Sequence, residues 1–129
     1  MTTPRRVLLA DDDRYLRRAA EARLRQQGFT VLTAADGEEA LQMALAERPD
    51  IILLDLIMPK VQGFEVLRAL KQAESTAAIP VIVLSNLGQE SDRAQCLESG
   101  AAAYFVKANL SLQELVRTVE ATLAREPQR

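Results

Sequence analysis

The chain predicts an α/β protein, a five-stranded parallel sheet flanked by five helices in three layers. Three observations carry that expectation. Five short runs rich in Val, Ile and Leu recur along the 129 residues, each bounded by turn or capping residues. Amphipathic helical patterns lie between them, so each parallel strand pair has the crossover helix it needs. The third run, IILLDL, is apolar at consecutive rather than alternate positions, as a strand covered on both faces requires.

The first strand is expected at 7–10. The helix after it carries Leu16, Ala20 and Leu24 at four-residue steps and stops at Gly28. The second strand, 29–34, leads through Asp36-Gly37 into a helix with Leu41, Ala44 and Leu45, which stops before Pro49. The third strand, 51–56, is followed by a turn punctuated by Pro59 and Gly63, then by a helix burying Val66, Leu67 and Leu70. After the fourth strand, Val81–Ser85, the helix at 89–99 has the weakest stripe, Ala94 and Leu97, and ends at Gly100, suited to a left-handed cap. The fifth strand, Ala103–Val106, precedes the clearest helix. It opens with a capping box from Ser111 to Glu114 and lines up Leu112, Leu115, Val116, Val119 and Leu123.

With no repeat, linker or low-complexity segment, 1–129 reads as one domain with a core of about 5–125. At 48% hydrophobic and 26% charged, the chain can bury a real core. A net charge of −2 and no basic run leave no electrostatic footprint for nucleic acid or an anionic membrane surface. No apolar stretch approaches bilayer length, and MTTPRR is not followed by a signal-type region, so the expectation is a soluble, cytoplasmic protein. Cys96 stands alone and cannot form an intramolecular disulfide; histidine is absent. Chemistry must therefore come from carboxylates, hydroxyls, lysine and backbone.

The polar residues that look out of place beside the apolar runs fall at strand ends: Asp11, Asp12 and Asp13, then Asp55, Ser85 and Lys107. Open α/β sheets build their sites on that edge. Clustered carboxylates repel unless a cation neutralises them, and oxygen-only ligands favour a hard divalent ion such as Mg2+ or Mn2+. Asp13 reads as a helix N-cap, Arg14, Arg17, Arg18 and Glu21 as a solvated helix face, and Cys96 as a small buried helix residue.

In this order and spacing the residues resemble the receiver domain of bacterial two-component response regulators over essentially the whole chain. The resemblance rests on Asp11-Asp12 after an apolar strand, IILLDLIMP with Asp55, Pro59 and Gly63, VIVLS ending in Ser85, and GAAAYFVK ending in Lys107. It implies a flavodoxin-like fold with strand order 2-1-3-4-5. It implies that Asp55 accepts a phosphoryl group from a sensor histidine kinase or phosphotransfer protein. Magnesium would be held by Asp12, Asp55 and the Ile57 carbonyl, with Asp11 acting through water; Lys107 and Ser85 would contact the phosphoryl oxygens. Ser85 and Tyr104 would form a switch that alters how the face made by helix four, strand five and helix five binds an unknown downstream protein. Such a domain catalyses only its own phosphorylation and dephosphorylation. Ile57 and Leu87 occupy the two positions that border the approach of hydrolytic water, and their aliphatic side chains imply slow hydrolysis.

Two departures bear on this reading: Ala108 stands where receivers usually have proline, so a trans bond after Lys107 is expected, and Asn86 replaces a small residue. They leave room for an interaction module that no longer takes phosphate. A haloacid-dehalogenase-type phosphatase built on Asp11-x-Asp13, Ser85 and Lys107 is the other alternative, although it leaves Asp55 without a role. Only AREPQR follows the fifth helix, so no output domain is expected in this sequence.

Overall fold

The computed structural model describes residues 4–58, 60–86 and 90–125. In chain order the elements are β1 (Arg6–Ala10), α1 (Arg14–Gln26), β2 (Thr30–Ala34), α2 (Gly37–Glu47), β3 (Ile51–Asp55), α3 (Gly63–Gln72), β4 (Val81–Ser85), α4 (Glu90–Glu98), β5 (Ala103–Val106), a 3-10 turn (Lys107–Asn109) and α5 (Leu112–Arg125). The strands form one parallel sheet in the order β2-β1-β3-β4-β5. The order reverses beside β1, between connections that run to opposite sides, and the crevice there opens at the carboxyl ends of β1 and β3.

Strand alternation divides the core in two. Leu8, Ala10, Ile52, Leu54, Val81 and Val83 face α2, α3 and α4, meeting Ala40, Ala44, Val66, Leu67, Leu70 and Cys96. Val7, Leu9, Ile51, Leu53, Ile82 and Leu84 face α1 and α5, meeting Ala20, Leu24, Leu115, Val116, Val119 and Leu123. The register ends flush: Ala10 lies opposite Leu54, Asp55 opposite Leu84, and Ser85 opposite Val106. One edge of the sheet therefore collects every polar strand-end residue named above.

Several expectations are corrected at the helices. α2 packs through Ala40 and Ala44, small residues that let it approach the sheet closely, while Leu45 turns outward with 44% exposure. α4 buries only Cys96; Ala94 is exposed and Leu97 is 38% exposed, because the short helix touches the sheet along one narrow line. Phe29 precedes β2 and Leu56 follows β3 instead of belonging to them. The fifth-helix capping box forms as read, with the Ser111 hydroxyl accepting from Glu114 N at 3.1 Å and Glu114 Oε1 accepting from Ser111 N at 3.3 Å. Gly100 adopts φ +105°, the left-handed turn that ends α4. No described helix is long and apolar enough to cross a membrane.

Candidate functional site

Asp11, Asp55 and Lys107 lie two positions beyond Leu9, Leu53 and Phe105, residues of the sheet face packed on α1 and α5. Alternation therefore keeps all three in step, and their side chains converge at the sheet edge. Lys107 Nζ stands 2.8 Å from Asp11 Oδ2 and 3.0 Å from Asp55 Oδ2, with the three side chains 10%, 1% and 4% exposed. Both contacts are charge-assisted, and the second is also a hydrogen bond from the ammonium to Asp55 Oδ2.

The loops around these groups are tied to them. Asp11 Oδ1 accepts from Asp13 N at 2.8 Å, and Asp55 Oδ1 accepts from Ile57 N at 3.2 Å. Asp13 caps α1 as read, accepting from Tyr15 N and Leu16 N. The Arg17 guanidinium donates to the Asp11 carbonyl at 2.7 Å, so Arg17 belongs to the site and is not only part of a solvated face. Gly63 lets α3 begin against the end of β3, since a Cβ there would collide with the backbone of Asp55 and Leu56. Asp12, Asp13, Asp55, Ile57, Asn86 and Lys107 line an open depression of about 410 Å3.

Ser85 sits differently from Lys107. It is fully buried on the other face of the sheet, where its hydroxyl acts on the buried Tyr104 phenol. Its neighbour Asn86 lines the depression in its place. Pro59 and Leu87 lie outside the described residues. Ile57 is 58% exposed at the mouth of the depression. The Lys107–Ala108 bond is trans, as expected before a residue other than proline, and no cis peptide occurs among the described residues.

Electrostatics follow from this burial. Burial raises the Asp55 carboxyl to about 6 even though the Lys107 ammonium pulls the other way. Burial would lower the Lys107 value, but Asp11 and Asp55 outweigh it and hold the ammonium above the ordinary lysine range. Burial likewise raises the Tyr104 phenol, opposed by the Ser85 hydroxyl, and lifts the Cys96 thiol to about 11, leaving it inert.

Asp11, Asp12 and Asp55 each offer a carboxylate oxygen within 4.8 Å of the others. Three carboxylates against one ammonium leave a formal charge of −2 when ionised, and Asp11 Oδ2 has unused acceptor capacity. An all-oxygen, doubly negative set fits a hard divalent metal ion. The phosphatase frame does not fit: Asp11, its nucleophile, is sealed under Lys107, and Asp13 is committed to capping α1.

A doubly wound sheet whose carboxylate-lined edge surrounds one lysine defines a small flavodoxin-like domain with its site at the carboxyl ends of the strands. The chain belongs to the response regulator receiver domains of two-component signalling: the model of that family matches residues 7–120. The transcriptional regulatory protein PrrA of Mycobacterium tuberculosis is 45% identical over 125 residues, covering 97% of this chain and 52% of that protein. The DNA-binding dual master transcriptional regulator RpaA of Synechocystis is 39% identical over 120 residues, covering 93% of this chain and 49% of that protein. The chain thus spans about half the length of these relatives. Among solved structures, a Francisella response regulator receiver domain superposes with a TM-score of 0.88 at 30% identity, covering 97% of this chain and all of that one.

Proposed function

We propose that Asp55 is the phosphoacceptor of a single receiver domain spanning 1–129, with a core of about 5–125. The observation that carries this is the placement of Asp55. Among the three clustered carboxylates it alone both contacts Lys107 and lines the open depression, whereas Asp11 is sealed and Asp12 is exposed. A carboxylate oxygen of Asp55 forms a bond to phosphorus as the P–N bond of a donor phosphohistidine breaks, and the leaving imidazole takes the bonding pair. The donor is a sensor histidine kinase or phosphotransfer protein, and the setting is cytoplasmic. The chemistry acts on the chain's own carboxylate and on no separate substrate.

Lys107 supplies a point charge to the phosphoryl oxygens. Asp12, Asp55 and the Ile57 carbonyl would hold Mg2+, or Mn2+, directly, and Asp11 through water. A bound ion supplies neutralising charge where the transferring group spreads its own. Ser85 then leaves Tyr104 to donate to the phosphoryl group. The tyrosine repacks into the space Ser85 vacates, changing how the α4-β5-α5 face meets a downstream protein.

The test is incubation with Mg2+ and a small phosphodonor, followed by intact mass. One phosphoryl group is expected on the wild type, none on Asp55→Asn, and none in EDTA. Wild-type modification of Asp55→Asn would overturn the assignment.

A further inference from the structure

The chain reverses the direction of its carboxylates across a single peptide unit. Asp11 is buried under Lys107, and Asp12, the next residue, is exposed on the rim. The plane joining them carries the Asp11 carbonyl, which lies past Ala10, the last residue of β1 paired with both neighbouring strands. The Arg17 guanidinium meets that carbonyl at 2.7 Å. Arg17 can reach it because helical side chains lean toward the N-terminus, bringing the second turn of α1 back over the loop that precedes the helix. On the opposite side, Asp13 N holds the Asp11 carboxylate at 2.8 Å.

We propose that Arg17 is a positioning residue for the cation site: its hydrogen bond to the Asp11 carbonyl fixes the Asp11–Asp12 peptide and so keeps the Asp12 carboxylate facing Asp55. This rests on the reading that Asp11, Asp12 and Asp55 hold a divalent cation. Two simpler roles predict different signs. A guanidinium acting only as a nearby charge repels a cation, so its removal tightens binding. One that only satisfies a strand-end carbonyl changes stability and leaves cation affinity alone.

The experiment titrates Mn2+ into the full chain and follows free ion by electron paramagnetic resonance, well below each variant's thermal transition. Arg17→Met is expected to weaken Mn2+ binding about tenfold or more, the usual scale for groups that orient metal ligands. Arg17→Lys, which keeps a cationic donor for this single contact, is expected to stay close to wild type. Unchanged or tighter binding in Arg17→Met overturns the proposal, as does an Arg17→Lys variant as weak as Arg17→Met. If Arg17→Met does not fold, Arg17→Gln is read in its place against the same outcomes. A wild type that binds no Mn2+, or binding that survives both Asp12→Asn and Asp55→Asn, refutes instead the cation site on which the proposal stands.

Discussion

Lys107 Nζ lies 3.0 Å from Oδ2 of Asp55, a contact that spans 52 positions of the chain and closes because β3 and β5 end on one edge of the sheet. The same ammonium is paired with Asp11, so one cation serves two buried carboxylates. In Lys107→Met the hydrogen bond and the charge that oppose the burial of Asp55 both vanish. The Asp55 carboxyl is expected to titrate above its wild-type value of about 6, read from its side-chain carbon resonance in metal-free buffer. Phosphoryl uptake should fall about tenfold or more, since positioned charge carries this chemistry. An Asp55 value at or below wild type would show that Lys107 does not hold it down.

The pH dependence of stability tests the same carboxylate without any phosphodonor. Its folded value of about 6 lies above the ordinary 3.8, so below 3.8 the group is neutral in both states and costs nothing. As pH rises from 3.8 to about 6 the unfolded chain ionises first, and the folded state loses stability relative to it. Above that window the loss is complete, at roughly 3 kcal/mol for a difference of this size. Denaturant titrations in EDTA should show Asp55→Asn gaining on wild type across this window and holding a constant advantage at higher pH. Mg2+ should narrow that advantage. A gap that does not change with pH would contradict the assigned burial penalty.

Thr122 places a hydroxyl on the buried face of α5, 2% exposed, and its Oγ1 has no hydrogen-bond partner among the described residues. Valine has the same shape without the unsatisfied polar atom. Thr122→Val should raise unfolding free energy by roughly 1 kcal/mol, measured by denaturant titration, because desolvating an unpaired hydroxyl is the cost removed. A destabilised variant would point to a partner for that hydroxyl in solution.

The strands and the site edge were legible because each depends on a local pattern: consecutive apolar residues define strands covered on both faces, and a polar residue closing such a run lies on the rim. Which apolar residues of a helix face inward was less legible. Leu45 and Leu97 satisfy the helical period, yet beside the expected Ala44 the sheet is met by Ala40 and Cys96, whose size sets how closely each helix approaches. Arg17 escaped notice because its partner is a main-chain carbonyl, which no residue identity reveals; the available signal was its four-residue spacing from the N-cap Asp13. Ser85 closes its strand as expected, but its influence on the Tyr104 phenol depends on pairing between β4 and β5, which strand patterns alone do not supply.

Ile57 governs the last prediction. Its amide holds Asp55 Oδ1 at 3.2 Å, while its side chain, 58% exposed, stands at the mouth of the depression into which Asp55 opens. Hydrolysis of an acyl phosphate needs water aligned behind phosphorus, and a polar side chain at that mouth can orient it. An aliphatic one offers neither donor nor acceptor and excludes water by bulk. The acyl phosphate is therefore expected to be long-lived. Ile57→Asn should speed its decay severalfold or more, with the Asp55 amide contact left in place. Leu87 lies outside the described residues, and adding Leu87→Glu tests whether it contributes to the same barrier. Decay of the isolated acyl phosphate, followed by intact mass at fixed Mg2+, checks both. Equal rates in wild type, Ile57→Asn and the double variant would show that water reaches phosphorus by a path these side chains do not control.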